Sequence, residues 1–389
     1  MIKNKRVFVG MSGGVDSSVT AALLKEQGYD VVGVYMKNWT KSLPGFDCPW
    51  KEDFQDAKRV AVQLGIDFKV FDFEKQYKHK VVDYMIDEFK VGRTPNPDIM
   101  CNQEVKFKLF LNACLDEGAD LIATGHYARV WHADEANNFE EASGTQSTHV
   151  HASPLRSSAS SRSSSSSALK QQSKMYQAKD KNKDQTYFLY RITEKALSKT
   201  LFPLGEYTKP EVRKLAKKFG LATAEKKESM GICFVGKVGI KEFLSQYVKT
   251  KPGKIIDEDG KVIGEHDGAI FYTIGQRTGL GIGGGLPYYV TGKNMKKNEV
   301  YVTTNLDDEN LWYEELNLTD VHWINQVPKD GAKVQVRTRH RAPLIDATLH
   351  LVPDGRLKVK LKDEIRAATP GQSAVIYDKE LVLGGGIIF

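Results

Sequence analysis

Over the first third of the chain, short apolar runs alternate with stretches whose apolar residues recur every three or four positions. RVFVGM (Arg6–Met11) reads as a strand, and SSVTAALLKEQG follows with Val19, Ala22 and Leu23 on one helical face and Gly28 as the stop. DVVGVYM (Asp30–Met36) predicts a second strand. DFQDAKRVAVQLG predicts a helix with Val60 and Leu64 on one face and Gly65 at its end; DFKVFDF and ADLIATGH (Ala119–His126) are the third and fourth strands. This alternation predicts an α/β fold, a doubly wound parallel sheet with helices on both faces, in which ligands sit at the strands' carboxyl ends.

The pattern then breaks. Residues from about 133 to 174 include SPLRSSASSRSSSSSALKQQS, which cannot bury enough apolar area to offset its ordering entropy and reads as a disordered insert. TKPEVRKLAKKFG restores a helical pattern, with a capping box at Thr208 and Glu211, an apolar face of Val212, Leu215, Ala216 and Phe219, and Gly220 at the end. Beyond Pro252, KVIGEHDG, AIFYTIGQ, AKVQVRTRH and QSAVIYD alternate with period two between glycine-rich turns, as an antiparallel sheet or barrel would. The expected division is residues 1–205 for the α/β domain, 206–262 for a small central domain and 263–389 for a C-terminal antiparallel β-barrel.

Composition adds little to this. The chain of 389 residues carries a net charge of +7, which fits a nucleic-acid partner without requiring one. It has no apolar run long enough to span a membrane, and the first strand begins too early for a leader peptide, so a cytosolic location is expected. The four cysteines, Cys48, Cys101, Cys114 and Cys233, form no C-x-x-C pair, which argues against a zinc knuckle. Cys114 lies in the apolar helix LFLNACLDEG and reads as core; Cys48 reads as structural.

SGGVDSS (Ser12–Ser18) falls between the first strand and the first helix. Its glycines permit a tight turn and close approach of a ligand, and the free N–H groups of the loop and helix terminus point at an anion. It is neither a Walker A loop nor G-x-G-x-x-G, and the plain alternative is a glycine-rich turn of any doubly wound fold. PDIMCNQEVKF places Asp98 three residues before Cys101, on one helical face. A lone cysteine in such a helix is more often a small core residue than a nucleophile. RTRHR would put Arg337, Arg339 and Arg341 on one face of a strand, where they could track phosphates; solvated surface charge is the commoner fate of such residues.

SGGVDSS resembles the pyrophosphate-binding loop of the ATP pyrophosphatase superfamily, with its Rossmann-like fold. Further segments narrow the likeness: GMSGGVDSSV, YMKNW, GRTPNPDIMCNQEVKF, ATGHYAR, KDQTYFLY, LFPLGEYTKPEVRKLA, GICFVG, TIGQRTGLGIGG and TPGQSAV. In order, and leaving the serine-rich insert aside, they resemble the tRNA-specific 2-thiouridylases, the MnmA family.

The resemblance implies an enzyme that uses ATP to adenylate O2 of uridine 34 in tRNA, then replaces that oxygen with persulfide sulfur. It assigns Gly10, Met11, Ser12, Gly13, Gly14, Val15, Asp16, Ser17, Met36 and Gly125 to ATP, and Asn96, Pro97 and Asp98 to the target base. His126, Lys183, Asp184, Gln185, Arg339, His340 and Gln372 would contact tRNA. Cys233 would carry the persulfide, Cys101 would form a disulfide with it as the sulfur is released, and Asp98 would act as acid or base. Mg²⁺ would accompany ATP, and the sulfur donor would be a cysteine desulfurase or a relay protein. His340 departs from the family, where tyrosine is common, and the insert has no counterpart. Asp98, Cys101 and Cys233 could alternatively hold an iron–sulfur cluster. Two rivals differ in class: an amide-forming synthetase would need neither thiol, and a tRNA-binding or persulfide-carrier protein would release no pyrophosphate.

Overall fold

The computed structural model describes residues 5–42, 48–132, 172–227, 239–283, 285 and 287–389. Cys233 and most of the serine-rich insert lie outside them. Five parallel strands form the first sheet: β1 (Arg6–Gly10), β2 (Asp30–Lys37), β3 (Asp67–Asp72), β4 (Leu121–Thr124) and β7 (Thr200–Leu201), in the order β3-β2-β1-β4-β7. Alternate residues of β1 serve opposite faces, as the period of two requires. Val7 and Val9 pack with α1 (Val15–Glu26) and α2 (Trp50–Leu64). Phe8 packs with two long irregular helices, α3 (Glu74–Tyr77, Lys78–Asp83, Tyr84–Lys90) and α4 (Pro97–Met100, Cys101–Phe110, Leu111–Asp116). The sheet is thus covered on both faces, as expected.

Tertiary structure sets the place of several segments. After the short helices α5 (Thr186–Leu189) and α6 (Glu194–Leu197) comes α7 (Lys209–Lys218), assigned above to a central domain. It begins at the capping box read from the sequence, yet Val212 and Ala216 bury themselves in the core shared with α1. AIFYTIGQ is not a strand: Ala269–Phe271 is one tight helical turn followed by loop. After α8 (Ile240–Leu244) a four-stranded sheet forms from β8 (Gly253–Ile256), β9 (Val262–His266), β10 (Tyr289–Asn294) and β11 (Glu299–Thr303). It is mixed, because β11 pairs with β8 in parallel.

The C-terminal strands β12 (Trp312–Trp323), β13 (Lys333–Arg337), β14 (Ile345–Leu351), β15 (Leu357–Arg366), β16 (Ser373–Asp378) and β17 (Leu381–Ile388) close into an antiparallel barrel when β12 pairs with β17. The hairpin of β5 (Ala128–Trp131) and β6 (Lys174–Gln177) leaves the first sheet and joins β17 at Tyr176 and Leu381. The insert therefore connects the two strands of a hairpin, and its expected end at about 174 falls inside β6. Among the described residues no helix is long and apolar enough to cross a membrane.

Candidate functional site

β1 ends at Gly10, and α1 starts five residues later. Gly13 takes φ +74°, and a side chain there would collide with the Asp53 carbonyl of α2. Gly14, extended at φ −91° and ψ 166°, leads into the helix. Ser17 Oγ accepts from Ser12 N–H at 3.1 Å and donates to the Gly14 carbonyl at 3.2 Å, while Ser18 Oγ donates to the same carbonyl at 2.8 Å. Met11 and Val15 turn their side chains into the core, leaving only their backbone for a ligand. A Cβ on Gly125 would lie 2.8 Å from Ser17 N, so the chain leaving β4 crosses the first turn of α1. One on Gly10 would lie 3.0 Å from Met36 Cε at the end of β2. The ten residues expected to hold ATP converge at the carboxyl ends of β1, β2 and β4.

Asp16, in the first turn of α1, is held from two sides. Tyr127 O–H donates to Oδ1 at 2.9 Å, and Lys209 Nζ, from the first residue of α7, lies 2.7 and 2.8 Å from the two carboxylate oxygens.

The second expected cluster lies on α4. Asn96 caps it, its Oδ1 accepting from the N–H groups of Asp98 and Ile99 at 3.1 and 3.4 Å, with Pro97 at the first helical position. From Cys101 to Phe110 the helix widens to i→i+5 turns, with a kink inside this stretch at Phe107 (φ −98°, ψ 15°). Such turns concentrate at functional sites, and across this one the Lys106 ammonium acts on the Asp98 carboxyl. Cys101 is 3 % exposed and packs with Ile99, Val105 and Phe107. Burial pushes the Asp98 carboxyl upward, and the Lys106 ammonium works against that rise.

Lys106 Nζ also donates to His126 Nε2 at 3.2 Å, while His126 Nδ1 lies 2.7 Å from Thr124 Oγ1. Burial and the adjacent ammonium hold the imidazole well below its ordinary value, so the ring is neutral. Its ring packs against Phe107 at a tilt and against Phe202 edge-on. Of the other described cysteines, Cys114 is fully buried and its thiol is raised by burial; Cys48 is half-buried beside the Trp39 carbonyl.

The residues expected to meet RNA divide. Asp184 is turned inward: Oδ1 accepts from Ala178 N–H at 3.0 Å, and Oδ2 from Thr186 at 2.8 Å and Arg337 at 3.3 Å. Gln185 Oε1 accepts from Tyr127 N–H at 2.9 Å and so fixes the chain beyond Gly125. Gln372 Nε2 donates to the Thr94 carbonyl at 2.7 Å, just ahead of Asn96. The expected arginine face does not form, because β13 ends at Arg337 and Arg341 adopts φ +64°. Arg337 pairs with Asp184, Arg339 donates to the Ala367 carbonyl at 2.9 Å, and Arg341 donates to the Asn182 carbonyl at 3.0 Å. His340 lies against Phe188, ring centroids 4.6 Å apart. Burial, Arg341, Arg337 and Lys183 lower it to about 4, so an uncharged ring stands among three cations.

Sequence reasoning gave no role to Lys106, a near neighbour of Cys101, and none to Lys209. Lys106 sits in the conspicuous stretch PDIMCNQEVKF, but its partner is twenty residues away. Lys209 sits between the two capping-box residues, which drew attention only to helix initiation.

A doubly wound sheet with a glycine–serine loop at the start of its first helix, fused to strand-rich units, defines an ATP pyrophosphatase-type α/β enzyme. The tRNA methyl transferase HUP domain model matches residues 5–237, the tRNA methyl transferase PRC-barrel domain model 241–304, and the Aminomethyltransferase beta-barrel domain model 313–388. The tRNA-specific 2-thiouridylase MnmA 2 of Geobacillus kaustophilus is 46% identical over 385 residues, covering 98% of this chain and 94% of that protein. The MnmA of Bacillus subtilis is 44% identical over 389 residues, covering 99% and 95%. The chain belongs to the tRNA-specific 2-thiouridylase MnmA family. Among solved structures, the U34-tRNA thiolase NcsA from Methanococcus maripaludis aligns at 18% identity and TM-score 0.32 over 63% of this chain and 64% of that one, too loosely to carry an argument.

Proposed function

We propose that this protein converts uridine 34 of tRNA to 2-thiouridine, with ATP at the Gly10–Ser17 loop and the base over Asn96, Pro97 and Asp98. The observation that carries the reading is a run of contacts just beyond β4: Gly125 lies against Ser17 of the anion-directed helix terminus, and the next residue, His126, accepts from Lys106 on the helix that bears Asp98 and Cys101. Uracil O2 attacks the α-phosphorus, an O–P bond forms, and the bond to the β-phosphate oxygen breaks to release pyrophosphate. Asp98, desolvated and faced by Lys106, takes up the N3 proton. The terminal sulfur of a Cys233 persulfide attacks C2. Cys101 thiolate then attacks the inner sulfur, forming the Cys101–Cys233 disulfide and leaving one sulfur on C2, and AMP departs with the original oxygen. The two electrons that reduce the sulfane sulfur come from the thiols, so a thiol reductant must reopen the disulfide after each turnover.

Mg²⁺ enters with ATP. It needs few protein carboxylates because phosphates and water fill most of its coordination sphere. The sulfur comes from a cysteine desulfurase or relay protein. Lys183, Arg339 and His340, with their neighbours on the barrel, supply tRNA contacts, while Asp184, Gln185 and Gln372 support that surface from behind. We further divide the chain into a nucleotide-binding body that includes α7, a small unit built on the mixed sheet, and the barrel.

Mass analysis of nucleosides from tRNA incubated with the protein, Mg-ATP and a persulfide source tests the reading: 2-thiouridine should appear at position 34. AMP formed without tRNA would indicate an amide-forming synthetase instead. Cys101→Ser should keep a persulfide on Cys233 yet yield no 2-thiouridine, whereas Cys48→Ser and Cys114→Ser should remain active. Wild-type thiolation by Cys101→Ser would return Cys101 to a packing role.

A further inference from the structure

We propose that Lys209 is the cation that receives the β- and γ-phosphates of ATP and the pyrophosphate that leaves. The inference rests on the assignment of ATP to the Gly10–Ser17 loop. That loop, through Ser18, contains no lysine or arginine. Its amides and hydroxyls are neutral donors, and the helix terminus adds only a partial charge. Pyrophosphate departs with several negative charges, and catalysis of such a step depends on fixed positive charge where the negative charge develops.

The loop also carries a carboxylate of the wrong sign. Asp16 lies in the first turn of α1, at the end of the helix where an anion would bind. Left alone it would repel a triphosphate. Lys209 neutralises it, and the lysine side chain is only 11 % exposed.

The ammonium is delivered by a fixed base. Lys209 N–H donates to Asp180 Oδ2 at 2.9 Å, Thr208 N–H donates to Glu211 Oε2 at 2.7 Å, and Val212 and Ala216 seat α7 in the α1 core. The plain alternative is an ion pair that staples α7 to α1. That role is already filled by apolar contact, and desolvated ion pairs add little net stability. An ammonium between a carboxylate and an anion-directed loop can instead pivot, bridging Asp16 to phosphate oxygens as the α–β phosphorus–oxygen bond breaks and its electron pair passes to pyrophosphate.

The test compares Lys209→Met and Lys209→Gln with wild type by titration with ATP, AMP and inorganic pyrophosphate in the presence of Mg²⁺. Glutamine retains a hydrogen bond to Asp16 and keeps the test available if methionine unfolds the protein. Binding of ATP and of pyrophosphate should weaken by about tenfold or more, and AMP by less than about twofold, because AMP lacks the phosphates that meet the ammonium. Equal losses for ATP and AMP, or none, would overturn the role of Lys209 and leave the loop assignment intact. A wild-type protein that binds none of the three would overturn the loop assignment itself.

Discussion

Lys106 has donors and no acceptor, so its contact with Nε2 of His126 obliges the ring to carry its proton on Nδ1, facing Thr124. One ammonium thereby fixes a tautomer and also restrains the rise of Asp98. Lys106→Met should let both Asp98 and His126 titrate at higher pH, moving the acid limb of tRNA-dependent pyrophosphate release upward; an unmoved limb would leave Lys106 a structural role only. For stability the signs are explicit. His126, His340, His322 and His266 all have folded values depressed by burial. The unfolded chain therefore binds more protons, and stability is lost as pH falls below the unfolded value of about 6.5 toward the folded values. His126→Gln should make the loss between about pH 6.5 and pH 5 shallower in denaturant titrations, by an amount on the order of 1 kcal/mol. Asp98 and Cys101 drew attention in the sequence because PDIMCNQEVKF resembles a family segment; residue type alone favoured a packing role for the cysteine. Lys106 and Lys209 were not legible there, because what makes each a candidate is a partner 20 or 193 residues away, and local pattern carries no information about such pairs.

Among the elements, the strands and helices of the first sheet were legible because both periodicities are strong and uninterrupted. The misread segments are those whose conformation is set by a distant contact. RTRHR alternates like a strand, yet three separate acceptors draw its arginines apart. The turn Pro370–Gln372 is a related case: it clamps the chain ahead of α4, with Thr94 N–H donating to the Pro370 carbonyl at 2.8 Å and Gln372 returning to the Thr94 carbonyl. Gly371 there has φ +92°, and a Cβ would lie 2.7 Å from Thr94 N. Gly371→Ala should cost about 1–3 kcal/mol of stability and slow thiolation by displacing Asn96 and Asp98, as thermal melts and nucleoside analysis would register. Shortening the insert, by contrast, should hardly matter. Both arms of the β5–β6 hairpin are fixed by their own ladder and by Ser173, whose N–H donates to Glu194 and whose carbonyl accepts from Asn325. Loop closure depends only logarithmically on length. Deleting residues 137–170 should leave the melting temperature and 2-thiouridine yield near wild type; a large loss of yield in a folded protein would reveal a role for the insert.

At the scale of the molecule, the barrel is referenced to the helix that carries Asp98 and Cys101. Arg191 donates to Gln103 on α4 and to the Asp320 carbonyl at 2.9 Å, with Asp320 Oδ2 also at 2.9 Å. Tyr187 O–H shares its contacts between the Thr338 and Ser373 carbonyls at 3.1 and 3.0 Å, and Tyr190 O–H meets Ser373 Oγ at 3.1 Å. Under the proposed function, an RNA held by the barrel would be positioned against α4 through these polar contacts. Arg191→Ala leaves those groups unsatisfied and should destabilise the protein by about 1–3 kcal/mol. It should also depress 2-thiouridine formation more than it weakens ATP binding; equal effects on both would argue against a positioning role for the seam.

The pairing of β12 and β6 with β17, which follows both in sequence, has a consequence for how the protein is made. β17 follows in sequence every strand it pairs with, so the nascent chain can assemble the parallel sheet early but cannot close the barrel or complete the hairpin's outer edge until β17 has emerged. Tyr190, Arg191 and the flank of α4 must wait through most of translation for Ser373 and Asp320 to emerge. Ribosome-held chains ending near residue 365 should therefore expose the segment around Tyr187–Arg191 to protease, while the β1–α1 loop region is already protected. Protection of both at that length would show that the two halves mature independently.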